Sequence, residues 1–217
     1  MKRTVTSKII ITPLFFLLGL IALQIPFTRL LGSGVNFTLY DFMAPSFGVF
    51  IATLPGILTV FLIQLVNFLL HPEKLSGLAA VIRLFPVLFA LIIFGKKRNI
   101  NLVIPLLSIL LFNLHPIGRS AWQYSLMWFI PVMGHYFRKN LFVRSLAATY
   151  TAHAVGGVLW VWAFGLSREI WLALIPQSLM ERLLMAGGIS VSYYSLVNVL
   201  SFLKSKKIIL HKAFTAS

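Results

Sequence analysis

The sequence predicts an all-α protein, a polytopic integral membrane bundle of six core helices plus an extra hairpin, in which the second and third segments form a broken hairpin. Three observations predict this class. Of the 217 residues, 59% are hydrophobic and only 11% are charged, which is too apolar for an ordinary soluble domain. The mean hydropathy is +0.93, and the apolar residues form several separate runs. The 19 Lys and Arg residues, against four Asp and Glu, cluster between runs as cytoplasmic loops of membrane proteins do.

The apolar runs follow one another without a soluble linker or an internal repeat, so we expect one membrane domain over residues 1–217. They lie at about 9–31, 42–54, 55–70, 78–95, 100–114, 120–136, 145–165 and 177–203. The first run is longer than a signal-peptide core, and no small-residue cleavage pattern follows it. We therefore expect this run to remain as the first helix.

Basic clusters predict how these runs cross the bilayer. Four clusters hold 13 of the 19 basic residues: Lys2, Arg3 and Lys8; Lys96, Lys97 and Arg98; Arg138, Lys139 and Arg144; Lys204, Lys206, Lys207 and Lys212. If all four face the cytoplasm, an even number of crossings separates each neighbouring pair. We expect a multi-pass protein of the plasma (inner) membrane with both termini in the cytoplasm.

This parity requires a break within the apolar stretch 42–70. Pro55 and Gly56 lie near its middle, and proline interrupts helical hydrogen bonding while glycine accepts a tight reversal. We expect a hairpin here. Its halves are short for a hydrocarbon core of about 30 Å, so two full crossings and a buried re-entrant pair are both open.

The acidic residues are few and fall on one side of this topology. All four belong to the outer side or to the outer ends of helices: Asp41, Glu73, Glu169 and Glu181. The outer face is therefore predicted to be the polar one. We expect any ligand to bind from outside.

Several classes of function are disfavoured by what the sequence lacks. There is no cysteine, which excludes disulfides, thiolate metal sites and cysteine nucleophiles. The His-Glu-x-x-His, Gly-x-Ser-x-Gly and Gly-Lys-Ser/Thr phosphate-loop signatures are also missing. We expect no enzyme activity, no catalytic residue, no cofactor and no metal. The net charge of +15 is explained by basic cytoplasmic loops of a protein whose partner is the lipid bilayer. We expect no nucleic acid partner.

One region of the chain carries a family resemblance. Ile25-Pro26-Phe27 is followed by a short loop and by Leu39-Tyr40-Asp41-Phe42; Pro45 and a run broken at Pro55-Gly56 come next, closing with Gln64, Asn67 and His71. Residues 77–93 and the basic triplet 96–98 complete the pattern. This segment resembles the substrate-binding S components of energy-coupling-factor vitamin transporters, most nearly the riboflavin type. Residues 175–179 also look like the start of that family's last helix.

The chain departs from this family in three places. The family has six helices, so the runs between 100 and 136 look like an extra hairpin. The Asn and Lys pattern in the last helix of riboflavin-type members is replaced by Gln177, Glu181 and Arg182. The alanine-spaced face that meets the coupling subunit is reduced to Gly19 and Ala22 at a different spacing.

The resemblance implies a membrane-embedded subunit that captures a small vitamin-like solute from the outer side. A transmembrane coupling subunit and two cytoplasmic ATPases would drive its release inward. Five residues are the candidate substrate-binding set: Asp41, Asn67, His71, Arg83 and Glu181. The alternative is a non-catalytic membrane scaffold of an envelope or cell-shape assembly, for which we would expect a closed bundle without an outer cavity. A membrane enzyme would require His115, His153 and Glu181 to converge.

Each candidate residue also has a structural interpretation. Asp41 either lines a pocket or caps the helix that begins near Phe42. Gln64, Asn67 and His71 share one helical face and either line a pocket or bond neighbouring helices. Arg83 is a lone charge within its apolar run, and Asp41 or Glu181 is its expected partner.

Three further patterns predict packing rather than chemistry. Glu181 and Arg182 diverge by about 100° on a helix, so we expect one of them to face inward. His153 is expected to form a bond between helices, and a turn is predicted around His115. The glycine pairs 156–157 and 187–188 are expected to be points of close helix packing.

Overall fold

The computed structural model describes residues 5–29, 36–71 and 77–205, and these are predominantly helical, which confirms the all-α class. The helices are α1 Val5–Leu23, α2 Leu39–Ile51, α3 Thr53–Leu70, α4 Leu78–Arg83, α5 Pro86–Gly95, α6 Ile100–Leu114, α7 Pro116–Ser120, α8 Trp122–Ser125, α9 Phe129–Tyr136, α10 Leu141–Phe164 and α11 Arg168–Ser205. A 3₁₀ turn, Leu126–Trp128, joins α8 to α9. Six residues for which the sequence predicts a place in the topology lie outside the described ranges: Lys2, Arg3, Glu73, Lys206, Lys207 and Lys212.

The first apolar run is only partly helical. α1 ends at Leu23, not at position 31, and an antiparallel hairpin of β1 Pro26–Arg29 and β2 Asn36–Thr38 follows. The residue before a proline is biased away from helix, so Pro26 explains why the apolar run continues while the helix does not. The expected short loop between Phe27 and Leu39 therefore contains paired strands. The hairpin leads directly into α2.

The predicted hairpin of the second and third segments is present, but its break is at Ala52. This residue has φ 80° and joins α2 to α3. The two helices run antiparallel: a Cβ placed on Gly56 would lie 3.0 Å from Cα of Gly48, and the Tyr40 hydroxyl donates to the Val60 carbonyl at 2.9 Å. The predicted break at Pro55-Gly56 is therefore wrong by three residues. Proline is tolerated in the first turn of a helix, where its missing N–H has no partner to lose.

Three further predicted runs differ from the helices observed. The run 78–95 is divided into α4 and α5 by a turn at Leu84 and Phe85, with Pro86 opening α5. The run 120–136 consists of α8, the 3₁₀ turn and α9, whereas α6 has the predicted bounds 100–114. The last run extends further than predicted, because α11 begins at Arg168 and continues through Pro176.

α10 and α11 form the long antiparallel pair of the molecule. Asn140 caps α10 by accepting a bond from the Val143 backbone N–H at 3.1 Å, and Gly165 ends it in the left-handed conformation. Ser190 in α11 donates to Ser145 in α10 at 2.9 Å. α10 also packs extensively on α5, so this helix connects both halves of the chain.

Three helical segments within the described residues are long and apolar enough to cross a membrane. They are Thr53–Leu70, Leu78–Gly95 and Arg168–Leu203. Three more apolar helices are shorter, namely Ile11–Leu23, Leu39–Ile51 and Ile100–Leu114. Membrane association is therefore compatible with the fold.

Two of the basic clusters meet at one end of the molecule. Arg138 donates to the carbonyls of Ile93, Phe94 and Gly95 at 2.7, 3.4 and 3.3 Å, which fixes the loop before α10 to the C-terminus of α5. The ammonium of Lys97 lies 5.9 Å from the centre of the Tyr136 ring. We call this surface the basic end, defined by Lys96, Lys97, Arg98, Arg138, Lys139 and Arg144.

The opposite end carries a different set of contacts. There Arg168 donates to the Ser120 carbonyl at 2.9 Å, and the His115 ring packs against Trp162 with centres 5.0 Å apart. The β-hairpin and the N-terminus of α2 also lie away from the basic end, because α2 reaches that end at Ala52.

Candidate functional site

A buried arginine lies on the inward face of α11. The buried positions of this helix recur with helical spacing and include Ser178, Arg182, Met185, Ala186 and Ile189. Arg182 occupies an otherwise apolar or small-residue row and is only 8% exposed. Of the neighbouring pair predicted to diverge, Arg182 is the residue that faces most directly inward.

The Arg182 guanidinium has fewer partners than it has donors. One Nη donates to the Thr149 hydroxyl at 3.3 Å, and the other lies 3.6 Å from a carboxylate oxygen of Glu181. Its Nε is buried and has no acceptor among the described residues. Arginine carries five N–H donors, and a buried donor without an acceptor costs roughly 1–3 kcal/mol.

Polar side chains from three helices surround this guanidinium. The Tyr124 hydroxyl of α8 contacts Nε2 of His153 in α10 at 2.8 Å and the Ser178 hydroxyl of α11 at 3.2 Å. Thr149 and His153 share a face of α10, because they are four residues apart. The expectation that His153 bonds a neighbouring helix is confirmed. We call this set, Tyr124, Thr149, His153, Ser178, Glu181 and Arg182, the Arg182 cluster.

The β-hairpin and α2 cover one side of the Arg182 cluster. The guanidinium carbon of Arg182 lies 5.3 Å from the centre of the Phe37 ring, a cation–π distance. The Asp41 carboxylate accepts bonds from the backbone N–H and the hydroxyl of Thr38 at 2.7 and 3.0 Å. Asp41 is also within electrostatic reach of Arg182. Asp41 thus combines the capping role with a position beside the cluster.

The other predicted residues lie elsewhere. Asn67 accepts a bond from the Gln24 amide at 3.3 Å, and His71 ends α3 with its backbone N–H bonded to the Asn67 carbonyl. Gln64 donates to the Leu84 carbonyl at 3.1 Å, which joins α3 to the turn between α4 and α5. These contacts suit helix packing more directly than ligand binding.

Arg83 is exposed in the last turn of α4. Neither acid named as its expected partner is paired with it in the described structure: Glu181 pairs with Arg182, and Asp41 bonds Thr38. The structure therefore pairs Glu181 with Arg182 and places Asp41 four residues after Phe37, whose ring lies beside Arg182, while neither acid pairs with Arg83.

The candidate substrate-binding set included Glu181 and not Arg182, although one of the two was expected to face inward. Arg182 lies four residues after Ser178, three before Met185 and seven before Ile189, which is the spacing of an inward helical face. Following that row would have favoured Arg182 over Glu181. No comparable signal marks Tyr124, because α8 is a four-residue helix without periodicity of its own.

Two surface cavities are described, and neither touches Arg182. One, of about 330 Å³, is lined by apolar residues such as Phe129, Met133 and Val143. The other, of about 440 Å³, lies at the basic end between α3, α5 and the start of α6. Four residues of the Arg182 cluster are buried: Tyr124, Thr149, Ser178 and Arg182.

The arrangement expected for a membrane enzyme is not formed. His115 contacts Trp162, whereas His153 belongs to the Arg182 cluster nine residues earlier on α10, roughly 13 Å along the axis. In the described ranges 5–29, 36–71 and 77–205, no group of three His, Asp or Glu side chains has the geometry to hold a metal ion.

Comparison with known proteins assigns no family. No family model matches the chain, and no solved structure matches it. An uncharacterized protein of Methanocaldococcus jannaschii is 25% identical over 184 residues, covering 74% of this chain and 61% of the relative. The chain thus spans about three fifths of the length of this curated relative.

Proposed function

We propose that this chain is a polytopic membrane protein that captures a small vitamin-like solute from the outer side of the plasma membrane. It would act as the substrate-binding subunit of an importer resembling the energy-coupling-factor transporters. The observation that carries the proposal is the buried Arg182 guanidinium, whose Nε has no acceptor among the described residues. A buried arginine is costly unless acceptors surround it, and a solute carboxylate, carbonyl or phosphate oxygen supplies one.

The residues around Arg182 suit a small planar solute. The Phe37 ring lies beside the guanidinium, Tyr124 belongs to the same cluster, and aromatic faces stack well on flat heterocycles. The hydroxyls of Thr149 and Ser178 both donate and accept hydrogen bonds. Asp41 and Glu181 accept bonds from solute N–H or O–H groups.

The position of the cluster supports capture from outside. The Arg182 cluster lies beside the N-terminus of α2, whereas Ala52 at the C-terminus of the same helix borders the basic end. Basic loops favour the cytoplasmic side, so the proposed orientation has both chain termini there and the cluster toward the outer side. The apolar helices of the fold are compatible with that arrangement.

The proposed transport step needs partners. The sequence has no phosphate-binding loop for a nucleotide, so this chain requires another source of energy for active uptake. By the resemblance of residues 25–98, a transmembrane coupling subunit and two cytoplasmic ATPases would supply it. The chain itself would bind, orient and release the solute without catalysing a reaction.

Native mass spectrometry of the protein purified from its own host tests this function. The proposal predicts that a small molecule remains bound after mild detergent extraction and that ATPase subunits copurify. A chain that carries no small molecule and never brings ATPase subunits with it would contradict the proposal.

One observation favours a second candidate, a non-catalytic membrane scaffold. Most of the Arg182 cluster is buried, and none of its residues lines either described cavity. A scaffold requires no solute site, and its Arg182 would only join α10 to α11. Copurification of envelope or cell-shape proteins, with an empty small-molecule spectrum, would select this candidate.

A further inference from the structure

A second site is present at the basic end, far from the Arg182 cluster. We call the cavity of about 440 Å³ there the basic groove. Its wall is mainly aliphatic, and two cationic side chains stand at its edge: the lining is Ala52, Thr53, Leu54, Pro55, Ile57, Ile92, Lys96, Arg98 and Ile100. A volume of this size is within the range of small-molecule sites.

The basic groove continues into an exposed apolar lane. On α3 the exposed leucines recur every four residues, at Leu54, Leu58 and Leu62. On α6 a matching row begins at Ile100 and continues through Val103 and Leu107. These rows leave the groove in the direction of the opposite end, so a flexible hydrocarbon chain seated in the groove can follow either of them.

The charge at the mouth of the basic groove is unbalanced. Lys96 and Arg98 are both exposed. Among the residues that the structure describes, no Asp or Glu lies at this end; the acids are at the start of α2 and in the first half of α11. Two cations without a protein counterion favour an anionic ligand group.

The loop that carries these cations is held in place. Asn101 is buried, and its side-chain amide donates to the Lys96 carbonyl at 3.1 Å. Its backbone N–H donates to the Arg98 carbonyl at 3.0 Å. Both cationic residues therefore have their backbones fixed relative to the groove, which limits the entropy lost when a ligand binds.

We propose that the basic groove binds one anionic phospholipid, with its phosphodiester headgroup at Lys96 and Arg98 and an acyl chain along the aliphatic wall. The apolar lining favours a lipid over free phosphate, which has nothing to place against leucine and isoleucine. The paired cations favour an anionic over a zwitterionic headgroup, since basic pockets at the cytoplasmic side recognise anionic lipids. This site is independent of the solute site.

Native mass spectrometry in detergent, with added phosphatidylglycerol or phosphatidylcholine of equal chain length, tests the proposal. The wild-type chain is expected to retain one phosphatidylglycerol in preference to phosphatidylcholine. The double variant Lys96→Gln/Arg98→Gln should bind phosphatidylglycerol about thirtyfold more weakly, because each basic residue near a headgroup contributes about 1 kcal/mol.

The matched control is Lys97→Gln/Lys139→Gln, which removes the same charge from the basic end without altering the groove lining. Its affinity for phosphatidylglycerol should stay within about threefold of wild type, since long-range charge is screened. Equal losses in the two double variants would overturn the proposal, as would equal binding of the two lipids. Competition by soluble glycerol phosphate at the lipid's own concentration would instead indicate a free-anion site and would also overturn it.

Discussion

At the scale of single residues, the environment of Arg182 requires an explanation. Its guanidinium is buried with one hydrogen bond at 3.3 Å and an ion pair at 3.6 Å, which leaves several donors without close acceptors. Burying an ion is compensated only when its donors are satisfied. The proposed solute would supply acceptors for these donors. Arg83, by contrast, is exposed, and neither Asp41 nor Glu181 is paired with it.

A prediction at this scale concerns the two adjacent glycines of α11. A Cβ at position 188 would lie 2.5 Å from Cδ1 of Phe42, whereas a Cβ at position 187 meets nothing within 4 Å. Gly188→Ala should lower the free energy of unfolding by about 1–3 kcal/mol, because the Phe42 ring must shift. The measurement is the apparent melting temperature in detergent, followed by size-exclusion chromatography after heating.

Gly187→Ala serves as the control, with the same chemical change one residue earlier. It should be neutral or stabilising by up to about 1 kcal/mol, since alanine favours the helix more than glycine does. Equal melting temperatures for the two variants would contradict the close contact between Gly188 and the Phe42 ring. The sequence predicted close packing for both members of this pair, and only one of them is in close contact.

What could be predicted for single residues depended on local spacing. The inward turn of Glu181 or Arg182 followed from the 100° angle between neighbours, but the choice required the whole row from Ser178 to Ile189. The contacts of Tyr124 with His153 and Ser178 join residues 29 and 54 positions apart. No periodicity within one helix predicts contacts of that range.

Among the elements, the loop before α10 is attached most specifically. Arg138 donates to three carbonyls at the C-terminus of α5, where the last turn of a helix leaves acceptors without intrahelical partners. Its positive charge also complements the helix dipole there. Burial lowers the pKa of Arg138, and the nearby Arg144 lowers it further, but arginine starts high enough to remain charged.

This attachment predicts a difference between two neighbouring basic residues. Arg138→Gln should destabilise the protein by about 1–3 kcal/mol, because hydrogen bonds from a charged donor are lost and carbonyls are left unpaired. Lys139→Gln removes the same charge from an exposed position and should leave stability almost unchanged. Thermal unfolding of both variants, followed by tryptophan fluorescence, is the measurement. An equal response would mean that net charge, and not the carbonyl contacts, matters.

Elements were predictable where their signals are local. The bounds of α6 match the predicted run 100–114, because the basic triplet 96–98 precedes this helix and His115-Pro116 follows it. The break between α2 and α3 was expected at Pro55-Gly56 but occurs at Ala52, since a proline fits the first turn of α3. The β-hairpin was missed because β2 has only three residues, too few to show an alternating pattern, and because it pairs with a separate segment, β1.

At the scale of the whole molecule, the two ends of the bundle carry different charges and different contacts. Arg138 bonds the carbonyls of Ile93, Phe94 and Gly95, and Lys97 lies over the Tyr136 ring, so two predicted cytoplasmic clusters lie at the same end. The contact of Arg168 with Ser120 joins the loops at the opposite end. For these two clusters the shared end agrees with the predicted parity, which follows from the distribution of charge along the chain and not from details of packing.

The orientation predicts the reactivity of introduced cysteines, and the chain has none of its own to interfere. In intact cells, a membrane-impermeant maleimide should label Ser120→Cys and Ser167→Cys but not Lys97→Cys or Lys139→Cys. The last two should react after permeabilisation. Labelling of both pairs from the same side would contradict the proposed topology.

We propose that Arg182 holds a solute, and native mass spectrometry of two arginine variants tests this role. The wild-type chain and Arg83→Gln should retain the same small molecule after purification, because Arg83 is exposed and lies outside the cluster. Arg182→Gln should retain at most about a tenth as much, since losing a charged hydrogen-bond donor costs roughly 1.5–3 kcal/mol. Equal retention by all three proteins, or its loss only in Arg83→Gln, would contradict the account.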